Sequence, residues 1–184
     1  MKECCNIRPS FSVIKIETQM KNITFRNDIL PMKDKLYRLA LRITLSQQDA
    51  EDAVQEALIK LWKRREQWDK IENLEAWALT IVRNIAIDTT RKNTSHATVP
   101  IDFEPPTASY DRLQERERLE IVRNIMNSLP EKQRSAMQLR DFEGKSYKEI
   151  SDIMDITEEQ VKVNIYRARQ FIKQKYQIIY KDGL

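Results

Sequence analysis

The chain has 184 residues, 41% of them apolar, with 32 Lys and Arg against 28 Asp and Glu, a net charge of +4 and only two glycines. Gly144 and Gly183 cannot build the glycine-rich loops of a dinucleotide fold or a P-loop, and one histidine with two adjacent cysteines, Cys4 and Cys5, leaves no zinc quartet. Abundant Leu, Ile, Glu, Lys, Gln and Arg predict an all-α protein, because these side chains lose little freedom in a helix.

No apolar run approaches the roughly 18 to 20 residues of a membrane span, and the start lacks the apolar stretch of a secretory signal. The expectation is a cytoplasmic protein without membrane insertion. Residues 1–23 carry Lys2, Arg8, Lys15 and Lys21 against Glu3 and Glu17 and show little periodicity. They read as a poorly ordered leader. Met20 directly precedes the first well-patterned helix, which makes it a second candidate for the translation start, to be decided by intact mass.

Residues 24–92 keep helical spacing and form the first expected domain. Leu36, Leu39, Ala40 and Ile43 make one apolar stripe that ends near Leu45. Ser46 followed by Asp49 has the spacing of an N-terminal cap, so a new helix starts there. Its stripe runs through Ala50, Ala53, Val54, Ala57, Leu58, Leu61 and Trp62. The rest is acidic early (Glu51, Asp52, Glu56) and basic late (Lys60, Lys63, Arg64), the order a helix macrodipole favours. A polar break at residues 69–73 precedes a third helix with Leu74, Trp77, Ala78, Ile81 and Ile85 in register. Trp62 and Trp77 follow the apolar register, which predicts core positions for both.

Residues 93–115 hold Pro100, Pro105, Pro106 and several Ser and Thr, with Asp102, Glu104, Asp111 and Glu115 against Arg112. This composition predicts a flexible linker. A second domain is expected over residues 116–178. Its first helix, with Leu119, Val122, Met126 and Leu129, is stopped by Pro130, and its second, through Ala136, Met137, Leu139 and Phe142, ends at Gly144. Ser146 with Glu149 and Thr157 with Gln160 are two capping-box pairs. They frame a short helix, a turn at Asp155 and Ile156, and a longer helix, which is the helix-turn-helix arrangement.

At about 100° per residue, Val161, Ile165, Ala168 and Ile172 share one side of that last helix. Lys162, Val163, Tyr166 and Arg167 share the other, flanked by Arg169 and Lys173. No acid occurs between Gln160 and Tyr180, so the helix forgoes i,i+4 pairing that a phosphate backbone could replace. A basic run alone is more often a solvated helix end; the capped helix-turn-helix before it shifts the balance to DNA binding.

The ordered motifs resemble a bacterial RNA polymerase sigma factor of the extracytoplasmic-function (ECF) group, over about residues 24–176. DAEDAVQEAL from Asp49, with Leu61 and Trp62, is similar to that family's polymerase-binding helix. AWALTIVRNIAIDTTRK from Ala76 resembles its minus-10 region. LPEKQR from Leu129, DFEG from Asp141, SYKEI from Ser146 and VKV from Val161 with Arg167, Ala168 and Arg169 resemble its minus-35 domain. The turn before the last helix departs from the pattern, since it lacks the glycine common there.

The resemblance implies a non-enzymatic factor that needs no cofactor or metal, binds core RNA polymerase and promoter DNA, and acts as a monomer within the holoenzyme. It leaves room for an anti-sigma antagonist. Asp49, Asp52, Gln55 and Glu56 would face polymerase. Lys70, Arg83, Asn84, Asp88, Arg91 and Lys92 would serve the minus-10 element, with a flipped base held near residues 69–73 and Asn84. Lys162, Val163, Tyr166, Arg167, Arg169 and Lys173 would serve the minus-35 element. The linker would span the two elements, its acids passing where nucleic acid later runs. The rival reading is a stand-alone helix-turn-helix regulator with an N-terminal sensing or dimerisation domain. An enzyme comes third, because the chain has no glycine-rich phosphate loop and no His/Cys metal set, and its one histidine, His96, sits in the expected linker.

Overall fold

The computed structural model describes residues 23–93 and 110–181, and every regular element among them is helical. The expectations for the leader, Met20, the two cysteines and residues 94–109 lie outside the described residues.

The first domain opens with a π turn, Phe25–Ile29, and a 3-10 turn, Leu30–Met32, which lead into α1 (Lys33–Thr44). The stripe of Leu36, Leu39, Ala40 and Ile43 is buried as the periodicity requires. Leu45, at φ 56°, turns the chain through the left-handed region, and its N–H closes on the Leu41 carbonyl. Ser46 then caps α2 (Gln47–Lys63), its Oγ accepting from the Asp49 N–H at 3.3 Å. Four of the five buried positions of α2 are Ala50, Ala53, Ala57 and Val54, small side chains that admit neighbouring helices closely. A 3-10 segment, Arg65–Lys70, buries Trp68, whose indole N–H donates to the Leu61 carbonyl at 3.2 Å. Asn73 caps α3 (Leu74–Asn93) by accepting from the Ala76 N–H at 2.9 Å. Helices α1, α2 and α3 all pack on one another.

One expectation in this domain fails. Trp62 is 49% exposed rather than core: α2 rotates it away from Leu61, and it packs edge-on against Phe25 at 5.4 Å with Arg65 over its ring. Trp77 does pack against the core.

In the second half of the chain α4 spans Tyr110–Asn127, so the helix starts six residues before Arg116, where the apolar patterning resumes. Pro130 opens α5 (Glu131–Met137), which runs into a π turn, Gln138–Phe142. Gly144 then adopts φ +68°, the left-handed stop its position implies. Both halves of the Ser146–Glu149 capping box form at the start of α6 (Tyr147–Met154). The turn lacking glycine is made by Asp155 at φ 54°, a residue type that enters the left-handed region more readily than most. Thr157 and Gln160 bond reciprocally at the start of α7 (Glu158–Lys181). Val161, Ile165 and Ala168 are buried against the rest of the domain, and each Val or Ile so buried stabilises the fold by about 1.5–3 kcal/mol.

The domains are not separate bodies. α1 packs on α5 and α3 on α6, and one apolar cluster runs from Leu36 and Leu79 to Leu139, Ile150 and Ile153. At the junction the buried Arg134 guanidinium donates to the Asn127 and Leu129 carbonyls at the end of α4 and to the Ile43 carbonyl near the end of α1. A cation there meets the negative ends of two helix dipoles. Arg42 adds bonds to Asn127 at 2.8 Å and Gln138 at 3.3 Å.

Candidate functional site

Three surfaces carry the candidate residues. On α2, Asp52, Gln55 and Glu56 are exposed. Glu56 pairs with Lys60 one turn on, at 2.7 Å. Asp49 is partly covered and its carboxylate accepts from the Asn93 side chain at 3.1 Å, tying the start of α2 to the end of α3. Ile59, 54% exposed, and Trp62 lie within an arc of about 120° with Asp52, Gln55 and Glu56. The face is therefore acidic at one end and apolar at the other. The apolar part was missed because Trp62 adjoins the core stripe; the angular spacing from Asp52 is the signal that finds it.

The second surface is formed by α3 and the segment before it. Lys70, Asn84 and Lys92 are exposed, and Asp88 lies 3.8 Å from Arg91 on the same exposed turn. Arg83, expected to hold phosphate, lies inside the fold instead of on the open surface. It is 8% exposed, 3.6 Å from Glu131 of the second domain, and its Nε has no hydrogen-bond partner. Burial pushes its guanidinium below the ordinary arginine value, while Glu131 and Asp155 pull the other way. Residues 71–74 line a groove of about 710 Å³ whose other wall includes Ser146, Lys148, Glu149 and Asp152. Asn73 spans it by donating to Glu149 at 3.3 Å. Trp68 and Trp77 are taken up by the core, so neither is a free stacking platform.

The third surface is the outer face of α7. Lys162, Val163, Tyr166, Arg167 and Lys173 are all exposed, with Val163 at 45% and Tyr166 at 64%. They fall within an arc of about 140°, opposite the buried Val161, Ile165 and Ala168. Lys162 lies 5.7 Å from the centre of the Tyr147 ring, where Arg140 also sits at 4.6 Å. Arg169, on the flank, makes a two-pronged pair with Asp141, its Nε at 3.2 Å; this hydrogen bonding raises the guanidinium further above its ordinary value. Among the described residues Arg167 and Lys173 carry no ion pair. The structure thus brings together the α7 residues on one free face and separates Arg169 and Arg83 from the freely available cations.

Known proteins match on both domains. Sigma-70 region 2 matches residues 30–96 and sigma-70 region 4 matches residues 119–172. The ECF RNA polymerase sigma factor SigM of Bacillus subtilis is 30% identical over 144 residues, covering 77% of this chain and 88% of the relative. SigM of Mycobacterium tuberculosis H37Rv is 29% identical over 135 residues, covering 73% of this chain and 68% of its own. Among solved structures, the sigma factor RpoE in complex with the anti-sigma factor NepR from Bartonella quintana superposes with a TM-score of 0.69. It is 25% identical and covers 84% of this chain and 97% of its own. CnrH in complex with the cytosolic domain of CnrY shares the fold, with a TM-score of 0.57, 19% identity, and coverage of 78% of this chain and 81% of its own.

Proposed function

The chain belongs to the ECF RNA polymerase sigma factors and directs promoter-specific transcription initiation with core polymerase; we propose how its residues divide that work. The exposed Asp52, Gln55 and Glu56 dock on polymerase, oriented by charge, and Ile59 and Trp62 extend the same face with apolar area. Asp49 supports that face through Asn93 rather than by reaching out.

Asn84 reads a base through an amide that can both donate and accept, with Asp88 beside it; Lys70, Arg91 and Lys92 attract the backbone of the minus-10 region. The outer face of α7 enters the major groove of the minus-35 element, Lys162 and Arg167 toward base edges, Val163 and Tyr166 toward thymine methyls, Lys173 and Arg169 toward phosphates.

The observation that carries this reading is the solvent-exposed, basic face of α7 behind two formed capping boxes, on the same chain as the acidic α2 face. The chain acts as an initiation factor, the chemistry of RNA synthesis residing in the core enzyme. Its place of work is the cytoplasm; among the described residues no helix is long and apolar enough to cross a membrane. An antagonist of the anti-sigma kind fits as a further partner, since the solved RpoE relative carries one. Run-off transcription with and without this protein tests the reading: promoter-dependent transcripts only when it is added support it. Operator binding without polymerase, and no transcripts with it, would favour the stand-alone regulator.

A further inference from the structure

A ladder of aromatic rings runs from the interior of the first domain to the exposed face of α2, and its middle rung precedes the region 2 match, which starts at residue 30. Trp68 is the fixed end: its indole is 4% exposed and donates its N–H to the Leu61 carbonyl at 3.2 Å. Phe25, in the π turn before α1, lies nearly parallel to Trp68, with 18° between the planes and 6.5 Å between the ring centres. It meets Trp62 edge to face, at 82° and 5.4 Å. Arg65 closes the outer end, its guanidinium 5.1 Å from the centre of the Trp62 ring. The turn that carries Phe25 is itself pinned. The Thr24 side chain accepts from the Asn27 N–H at 3.3 Å, the Thr24 N–H donates to the Asp28 carboxylate at 2.7 Å, and Ile29 is fully buried.

Resting on the docking face assigned to α2 above, we propose that Phe25 is a positioning residue for polymerase binding, which holds the Trp62 indole in one orientation for its partner. Trp62 stands in the last turn of α2 and is 49% exposed, so the helix alone leaves its side chain a choice of rotamers. An aromatic edge set against an aromatic face is attractive through the ring quadrupoles, and the attraction depends on the angle between the rings. Phe25 supplies that contact from a ring that is itself stacked on the immobile Trp68. Arg65 adds a cation beside the same indole, an attraction lost when the indole turns away. Ordering a large side chain during association costs affinity, and an indole already held in place spares that cost. Phe25 thus acts on polymerase binding through Trp62, from the rim of the core where its own ring is only partly buried.

The test measures the affinity of the full chain for core polymerase in a double-mutant cycle of Phe25→Ala and Trp62→Ala. Phe25→Ala is expected to weaken binding about threefold to tenfold, the cost of ordering one large side chain, and to weaken it no further once Trp62 is alanine. Phe25→Tyr keeps an aromatic ring and retains the affinity. Phe25→Leu keeps apolar volume without a ring quadrupole and falls with the alanine variant; it also serves where alanine unsettles the fold. In the chain labelled with fluorotryptophan, fluorine NMR gives one resonance for each of the three tryptophans, and substitution of each by Phe assigns them. Phe25→Leu should move the Trp62 resonance toward that of free fluorotryptophan while the Trp77 resonance stays in place.

Equal losses for Phe25→Ala with and without the Trp62 indole overturn the proposal and make Phe25 either a polymerase contact or a fold residue in its own right. Unchanged affinity in both Phe25→Ala and Phe25→Leu, or a Trp62 resonance that moves in neither, overturns it as well. If Trp62→Ala alone leaves polymerase binding intact, the docking reading of that end of α2 fails and the role of Phe25 in binding falls with it. The fluorine spectra then still report whether Phe25 holds the indole, so the two failures are told apart.

Discussion

Arg167 offers the sharpest test of how the last helix reads DNA. It sits at about 240° from Val161 around α7, exposed, and carries no ion pair among the described residues. Truncating it should therefore leave the fold almost untouched, within about 0.5 kcal/mol. Lys162 and Arg167 lie about 7.5 Å apart along the helix axis, roughly two base-pair steps. If Arg167 grips a guanine edge with both guanidinium branches, Arg167→Ala removes about 1–3 kcal/mol of discrimination, a loss of about 5- to 150-fold in holoenzyme binding to a mapped promoter. Binding to the same fragment with a scrambled minus-35 element should fall far less. The assay is equilibrium binding of holoenzyme to both fragments across a salt series. Equal losses on the two fragments, with a salt slope reduced by about 0.9, would refute base reading and make Arg167 a phosphate contact.

Three further outcomes follow from the same geometry. Glu56→Ala should weaken core-polymerase binding severalfold, measured by polymerase titration, yet cost no more than about 0.5 kcal/mol of stability, since it breaks one i,i+4 pair with Lys60. Asp155→Gly should raise the melting temperature by the equivalent of about 0.5–1 kcal/mol, because Asp155 holds φ 54° without the freedom of glycine, and a lowered melting temperature would show that its side chain matters more than its backbone. Acid should loosen the domain junction. Burial by itself raises the Glu75 carboxyl, but hydrogen bonds from Lys35 and Lys145 outweigh it and hold the group below its ordinary 4.5. Its contribution is therefore full above that value and disappears as pH falls through the lower folded one. Thermal melts across this range should show a decline that is shallower in Glu75→Gln, with Glu149, also held low by its Ser146 hydrogen bonds, supplying part of what remains.

Periodicity and capping determined most of the local structure here. The apolar stripes of α1 and α7 are buried where a 3.6-residue repeat places them, and Ser46, Ser146 and Thr157 start the helices their spacing announces. Gly144 also stops a helical run as expected, since its left-handed φ is local information. The free face of α7 was legible for the same reason: one helix carries both its buried and its exposed signal. The start of α4 at Tyr110 was not, because acids and a linker-like composition around it mask the pattern.

What only tertiary structure decided concerns residues whose partners are remote in sequence. Arg83 looks like any helix-surface cation until Glu131, 48 positions away, is packed against it. Trp62 looks like core until the fold gives Leu61 the interior and leaves the indole exposed on the same arc as Asp52, Gln55 and Glu56. The glycine count and nearly balanced charge excluded nucleotide loops and pointed to helices. They said nothing of how the charges meet, because an ion pair between domains depends on docking, and docking leaves no period in the chain.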